Sequence, residues 1–182
     1  DMAVYLKAEC LQHTGSFKLR GAYHKIASFG SEEKSKGIVT SSAGNHAQGV
    51  GFAATRFNVH GRIYVPEIIP RNKLEAIQRY RVEVVIEGKL YDEAHAAAVA
   101  DSKKSGRVYI PSYDDSMVMA GHGTLGLEML EEIADLDLRL RLAAARVERL
   151  AGSLDANADL MDARGLPTAA FRQLAIQATG IT

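Results

Sequence analysis

Apolar positions along the first 137 residues fall into two alternating rhythms. Leu19, Ala22, Tyr23 and Ile26 share one helix face and predict a helix over 17–29, with Gly30 as its C-cap. Ala47, Val50, Ala54 and Phe57 do the same over 45–57, and Asn58 follows as a residue suited to a left-handed cap. Further helices are expected over 72–80, over 91–104 (ended by Ser105-Gly106) and over most of 117–134. Between them lie short runs rich in β-branched residues, at 37–41, 62–66, 82–86 and 108–110, which read as strands. A further strand candidate lies at 3–6.

Strands alternating with helices at this spacing predict an α/β fold, a parallel sheet with helices on both faces. Right-handed crossovers then place ligand loops at the carboxyl ends of the strands. After Asp137 the pattern changes. Residues 138–182 hold 11 Ala, 8 Leu and 6 Arg among 45, and no Lys. Helix propensity is high there, amphipathic order is low, and no strand is evident. One or two helices form an irregular helical tail in this reading, and a foreign or frame-shifted segment would look the same.

Composition narrows the function classes. The 22 basic residues balance 22 acidic ones, so nothing calls for a nucleic-acid partner. The run 139–149 is Arg-rich, yet its Leu and Ala fit a helix face better. A single cysteine, Cys10, permits no internal disulfide, no Cys/His cluster has zinc spacing, and no metal is expected. No apolar run approaches the roughly 18 residues that span a membrane. There is no signal-peptide pattern, and a cytoplasmic setting is expected. The chain reads as one that lacks its natural beginning, because a strand-like run follows Asp1 almost at once.

Three stretches carry candidate chemistry. In "GSFKLRG", Lys18 lies beside Phe17 and Leu19, an apolar setting that lowers an amine's affinity for its proton. Alone, it reads far more readily as a solvated helix lysine. In "TSSAGNHAQG", a strand ends, small residues turn and a helix starts. Ser42, Ala43 and Gly44 let an anion reach the backbone amides, and Asn45 and His46 add donors. The plain alternative is a strand-to-helix turn with Asn45 as cap. In "PSYDDSMVMAGHGTLGLEML", Asp114 and Asp115 can cap a helix. Gly121, Gly123 and Gly126 imply close approach to a ligand or a neighbouring element, or else a broken loop. His13, His24, His60 and His95 read as loop or surface residues.

Together with "VPEIIPRNKLEAI" and "LYDEAHAAA", these stretches resemble the fold type II pyridoxal-phosphate enzymes, close to the threonine/serine dehydratases, from about Val4 to Asp137. The resemblance implies pyridoxal 5'-phosphate as cofactor. It implies that Lys18 carries the cofactor and takes the substrate's α-proton, that Phe17 lies against its ring, and that Asn45 bonds its phenolic oxygen. The turn Ser42, Ala43, Gly44, Asn45 and His46 would receive the substrate carboxylate. The implied reaction is dehydration and deamination of L-threonine or L-serine to a 2-oxo acid and ammonia. Racemases of the family carry a second serine where this chain has Ala43, which favours dehydration over racemisation; racemisation and β-replacement are the family's alternative reactions.

The resemblance also implies an organisation. Residues 1–36 would belong to a large domain, 37–116 would be the small α/β domain, 117–137 a connecting helix and 138–182 an atypical tail. Family members are usually homo-oligomers acting on a small amino acid. Departures are His122 where glutamine is more frequent, Arg81 where a glycine is usual, and no glycine run after Gly126 to hold the cofactor phosphate. These imply a truncated chain of impaired activity, or a catalytically silent α/β remnant.

Overall fold

The computed structural model describes residues 4–155. The chain divides into two compact units, Asp1–Leu127 and Glu128–Thr182. In the first, helix α1 (Lys18–Ala27) precedes α2 (Ser31–Lys36). There follow β1 (Ile38–Ser41), α3 (Asn45–Phe57), β2 (Gly61–Val65), α4 (Arg71–Gln78), β3 (Val82–Ile86), α5 (Tyr91–Ser105) and β4 (Val108–Tyr109). Helix α6 takes in Ser116–Asp155. In the second unit the described residues, 128–155, belong to α6, where Arg139 pairs with Asp135 one turn earlier at 2.9 Å.

The four strands form one parallel sheet in the order β3-β2-β1-β4, with Ile38 opposite Gly61 and Val108, and Ile63 opposite Val84. Alternate residues of each strand serve opposite layers. Ile38, Ile63 and Val65 face α3 and α4, where they meet Val50, Ala53, Ala47 and Ile77, and α1 adds Ala22 and Ile26. Val39, Tyr64 and Val85 face α5 through Ala94 and Ala98. The expected helices on both faces are therefore present. The central strand β1 is buried on both sides. Each fully buried aliphatic side chain contributes roughly 1.5–3 kcal/mol.

Several local expectations are corrected. No strand forms at 4–6, because no described strand pairs with it, and Val4, Tyr5 and Leu6 lie exposed. Gly30 is not a left-handed C-cap: its φ is −71°, and it precedes α2, donating its N–H to Glu33 Oε2 at 2.9 Å. Helix α2, six polar residues without an apolar stripe, gave no periodic signal. Asn58 does adopt the left-handed cap, with φ 54°. Arg81 causes no strain. Among the described residues, positive φ off glycine occurs only at Thr14 and Asn58. No loop breaks 117–134. Of the predicted tail, 138–155 is helical and 156–182 lies outside the described residues.

Candidate active site

The approach to Lys18 is a tight turn. Thr14 and Gly15 both take left-handed backbone angles, φ 68° and 71°. For a β-branched residue this costs on the order of 1–3 kcal/mol. The turn drives Ser16 inward, where its buried Oγ accepts the Lys18 N–H at 3.1 Å and opens α1. The Lys18 side chain then crosses to the loop after β4. Its Nζ donates to the Ser112 carbonyl at 2.8 Å, with the Phe17 and Tyr113 rings at 5.2 and 5.8 Å. Burial pulls the Lys18 pKa below that of a free lysine.

The second element is the start of α3. Gly44, not Asn45, is the N-cap, and no side chain caps the helix. The Gly44 N–H turns back to Ser42 Oγ at 3.3 Å, and Asn45 stands exposed at the first helical position. The first amides of a 13-residue helix are thus open to an anion. His46 points inward and is 3% exposed. Its Nε2–H donates to the Ile110 carbonyl at 3.0 Å, while Nδ1 is buried without a partner. Burial lowers its pKa to about 4, and the charges of Lys18 and His122 push the same way against the Ile110 bond.

His122 completes the cluster. Its ring lies edge-on to Phe17 with centroids 5.1 Å apart, and its Nε2 is buried without a partner. Burial, then the Lys18 charge, lowers its pKa. It fits only because α1 and α6 cross at glycines. A Cβ on Gly21 would lie 2.5 Å from His122 Nε2, and one on Gly121 would lie 2.5 Å from the Arg20 carbonyl. The close approach expected of the α6 glycines is therefore to a neighbouring helix, and at Gly121 alone. Gly123 and Gly126 face open space. Asp115 caps α6, accepting from Met117 and Val118 N–H at 3.0 Å each, whereas Asp114 makes no such bond.

Phe17, Lys18, His46 and His122 thus meet by the loop after β4. Ser42, Ala43, Gly44 and Asn45 line the end of the adjacent strand β1, and no hydrogen bond among the described residues links them to Lys18. Sequence reasoning missed Ser112 and Tyr113, which act through a carbonyl and a ring face and leave no motif. It also underrated His95. That side chain is half-buried, its Nδ1 lying 3.1 Å from Ser41 Oγ and 2.9 Å from Tyr109 OH. No cluster of His, Cys, Asp and Glu among the described residues could hold a metal ion.

A sheet of this topology with a half-buried lysine and an uncapped helix start defines an α/β protein with a candidate site at the carboxyl ends of its strands. The family described as "Pyridoxal-phosphate dependent enzyme" matches residues 1–152, and the chain belongs to it. It is 44% identical over 135 residues to an L-threonine ammonia-lyase of Thermotoga maritima, covering 74% of this chain and 34% of that protein. The processed form of threonine deaminase isoform 2 from Solanum lycopersicum superposes with a TM-score of 0.68 and 44% identity, over 70% of this chain and 37% of that one. Maize serine racemase superposes with a TM-score of 0.67 and 32% identity, over 71% of this chain and 39% of that one. The chain spans about a third of the length of the curated relatives it matches.

The family's cofactor is pyridoxal phosphate, an aldehyde bearing a phosphate. The residues present suit its aldehyde end: an amine of lowered pKa, an aromatic neighbour, and buried imidazole nitrogens awaiting partners. Among the described residues no glycine run cradles a phosphate. No glycine run follows Gly126, and Gly152 lies within α6.

Proposed function

We propose that this chain carries the reactive lysine and the substrate turn of a pyridoxal-phosphate lyase that converts L-threonine or L-serine to a 2-oxo acid and ammonia. The observation that carries the reading is the setting of Lys18: its amine is half-buried, held by the Ser112 carbonyl and flanked by aromatic rings. The cofactor would supply an electron sink for charge developing at the substrate's Cα. Lys18 would hold that cofactor and take the α-proton at Nζ. Phe17 would lie against its ring, and Asn45, exposed at the start of α3, would bond its phenolic oxygen. The turn Ser42, Ala43, Gly44, Asn45 and His46 would receive the substrate carboxylate, chiefly through the open amides at the start of α3.

In this reading His46 and His122 stay neutral at pH 7, so neither competes with Lys18 for its charge. Ala43 offers no hydroxyl to deliver a proton from the opposite face, which favours elimination over racemisation. Residues 1–36 would group with a large domain, 37–116 with a small one and 117–137 with a connecting helix. The enzyme would be cytoplasmic and oligomeric, with a free amino acid as its partner. Lacking the glycine run, the 182-residue chain would bind the cofactor weakly.

The test is a chimera in which residues 4–137 replace the matching segment of the Thermotoga maritima relative. With L-threonine it should form 2-oxobutanoate, and Lys18→Ala should abolish that. Normal turnover in the Lys18→Ala chimera would sink the assignment. Formation of D-serine from L-serine, in place of pyruvate, would turn the reading to a racemase.

A further inference from the structure

A second concavity lies on the α5 layer of the sheet, bordered by Tyr91, His95, Tyr109, Ser112, Tyr113 and Asp114, with a volume of about 270 Å³. Its back wall is a hydrogen-bonded triangle. Tyr109 OH and Ser41 Oγ lie 3.2 Å apart, and both meet His95 Nδ1. Tyr91 stacks on the His95 ring with centroids 6.0 Å apart and planes at 14°, and Tyr109 meets that ring at 75°. The border therefore includes three tyrosines and one carboxylate, Asp114, and neither Lys nor Arg is among the residues that line the cavity.

Ring faces carry negative quadrupole charge and attract cations within about 6 Å of their centroids. The loop that forms the outer wall already holds one ammonium group, since Lys18 Nζ sits on the Ser112 carbonyl and 5.8 Å from the Tyr113 centroid. An anion would meet a carboxylate here, and the Lys18 ammonium on this loop is already held by the Ser112 carbonyl. An uncharged ligand would gain nothing from Asp114. The volume suits a small molecule, and its polar rim suits a ligand with little apolar bulk.

We propose that this pocket is a binding site for a small organic ammonium ion, separate from the Lys18 site and joined to it by the Ser112–Tyr113 wall. The inference stands apart from the lyase reading, because it requires neither Lys18 nor the cofactor.

Tetramethylammonium tests it, since that ion has charge but no N–H to condense with a carbonyl. The probe is titrated into the 182-residue chain at constant chloride, and the tyrosine ring and His95 resonances are followed by NMR. Saturable shifts confined to Tyr91, His95, Tyr109 and Tyr113 are expected, with affinity falling at least about fivefold in Tyr91→Leu and in Asp114→Asn. Both side chains are exposed, so neither substitution should compromise folding. Lys18→Ala should retain the site, which separates this result from any failure of the lyase reading. No saturation up to about 50 mM, equal binding of uncharged tert-butanol, or unchanged affinity in Asp114→Asn would overturn the proposal.

Discussion

Adding one methyl group at Gly121 and one at Gly123 should change stability in opposite directions. Both are glycines of α6, and replacing an exposed helical glycine by alanine ordinarily gains about 1 kcal/mol. At Gly123 a Cβ would meet nothing within 4 Å, and the same holds at Gly126, so each Gly→Ala change should realise most of that gain. At Gly121 the new carbon would lie 2.5 Å from the Arg20 carbonyl, 2.7 Å from His24 Cβ and 2.8 Å from Gly21 Cα. None of these is the free end of a flexible side chain, so relief requires α1 and α6 to separate by several tenths of an ångström. Overpacking of this kind costs typically 1–3 kcal/mol, which outweighs the propensity gain. Gly121→Ala should therefore be destabilising by about 1–2 kcal/mol. Urea unfolding followed by circular dichroism measures all three variants. A stabilised Gly121→Ala, or a Gly123→Ala destabilised by more than about 0.5 kcal/mol, would refute the helix crossing described here.

Three further outcomes follow from the same packing. Asp115 feels burial, which raises its pKa, but the Lys25 ammonium and the Val118 and Met117 amides hold it below the ordinary 3.8. Its contribution is present above that pH and lost as pH falls through the lower folded value, so Asp115→Ala should cost about 1 kcal/mol at pH 7 and progressively less as pH falls below 3.8, by urea unfolding. His46 has the opposite requirement, since its folded pKa of about 4 lies below the ordinary 6.5. The unfolded chain takes up the proton first, so roughly 3 kcal/mol of stability should be lost between pH 6.5 and 4, and His46→Gln should flatten that slope. Gly37, at φ 78°, has the His60 carbonyl 2.7 Å from where a Cβ would lie, so Gly37→Ala should lower the melting temperature.

Much of the fold is legible in the chain because its helices carry regular apolar stripes and its strands carry β-branched runs. The bounds of α3 and β3 match their patterns residue for residue. What escapes reading has physical causes. Helix α2 has no apolar face, so no period announces it. Val4, Tyr5 and Leu6 have strand-forming side chains, but a strand exists only with a partner. In the candidate site, Lys18 and the turn at Ser42–His46 stand out as motifs. The Ser112 carbonyl does not, because a backbone oxygen has no sequence signature. His95 is a polar residue one position after the core residue Ala94, and only the folded sheet brings it to Ser41 and Tyr109.

The central claim is that Lys18 is the carbonyl-reactive lysine of a pyridoxal-phosphate family site. It is tested most directly by incubating the 182-residue chain with excess pyridoxal phosphate, reducing with borohydride and mapping the pyridoxyl adduct by mass spectrometry. The chain has nine lysines, all within the first 137 residues. The account predicts labelling concentrated at Lys18, requiring a high cofactor concentration because no glycine run holds the phosphate. Adduct spread evenly over the nine lysines, or concentrated at any other, would contradict it.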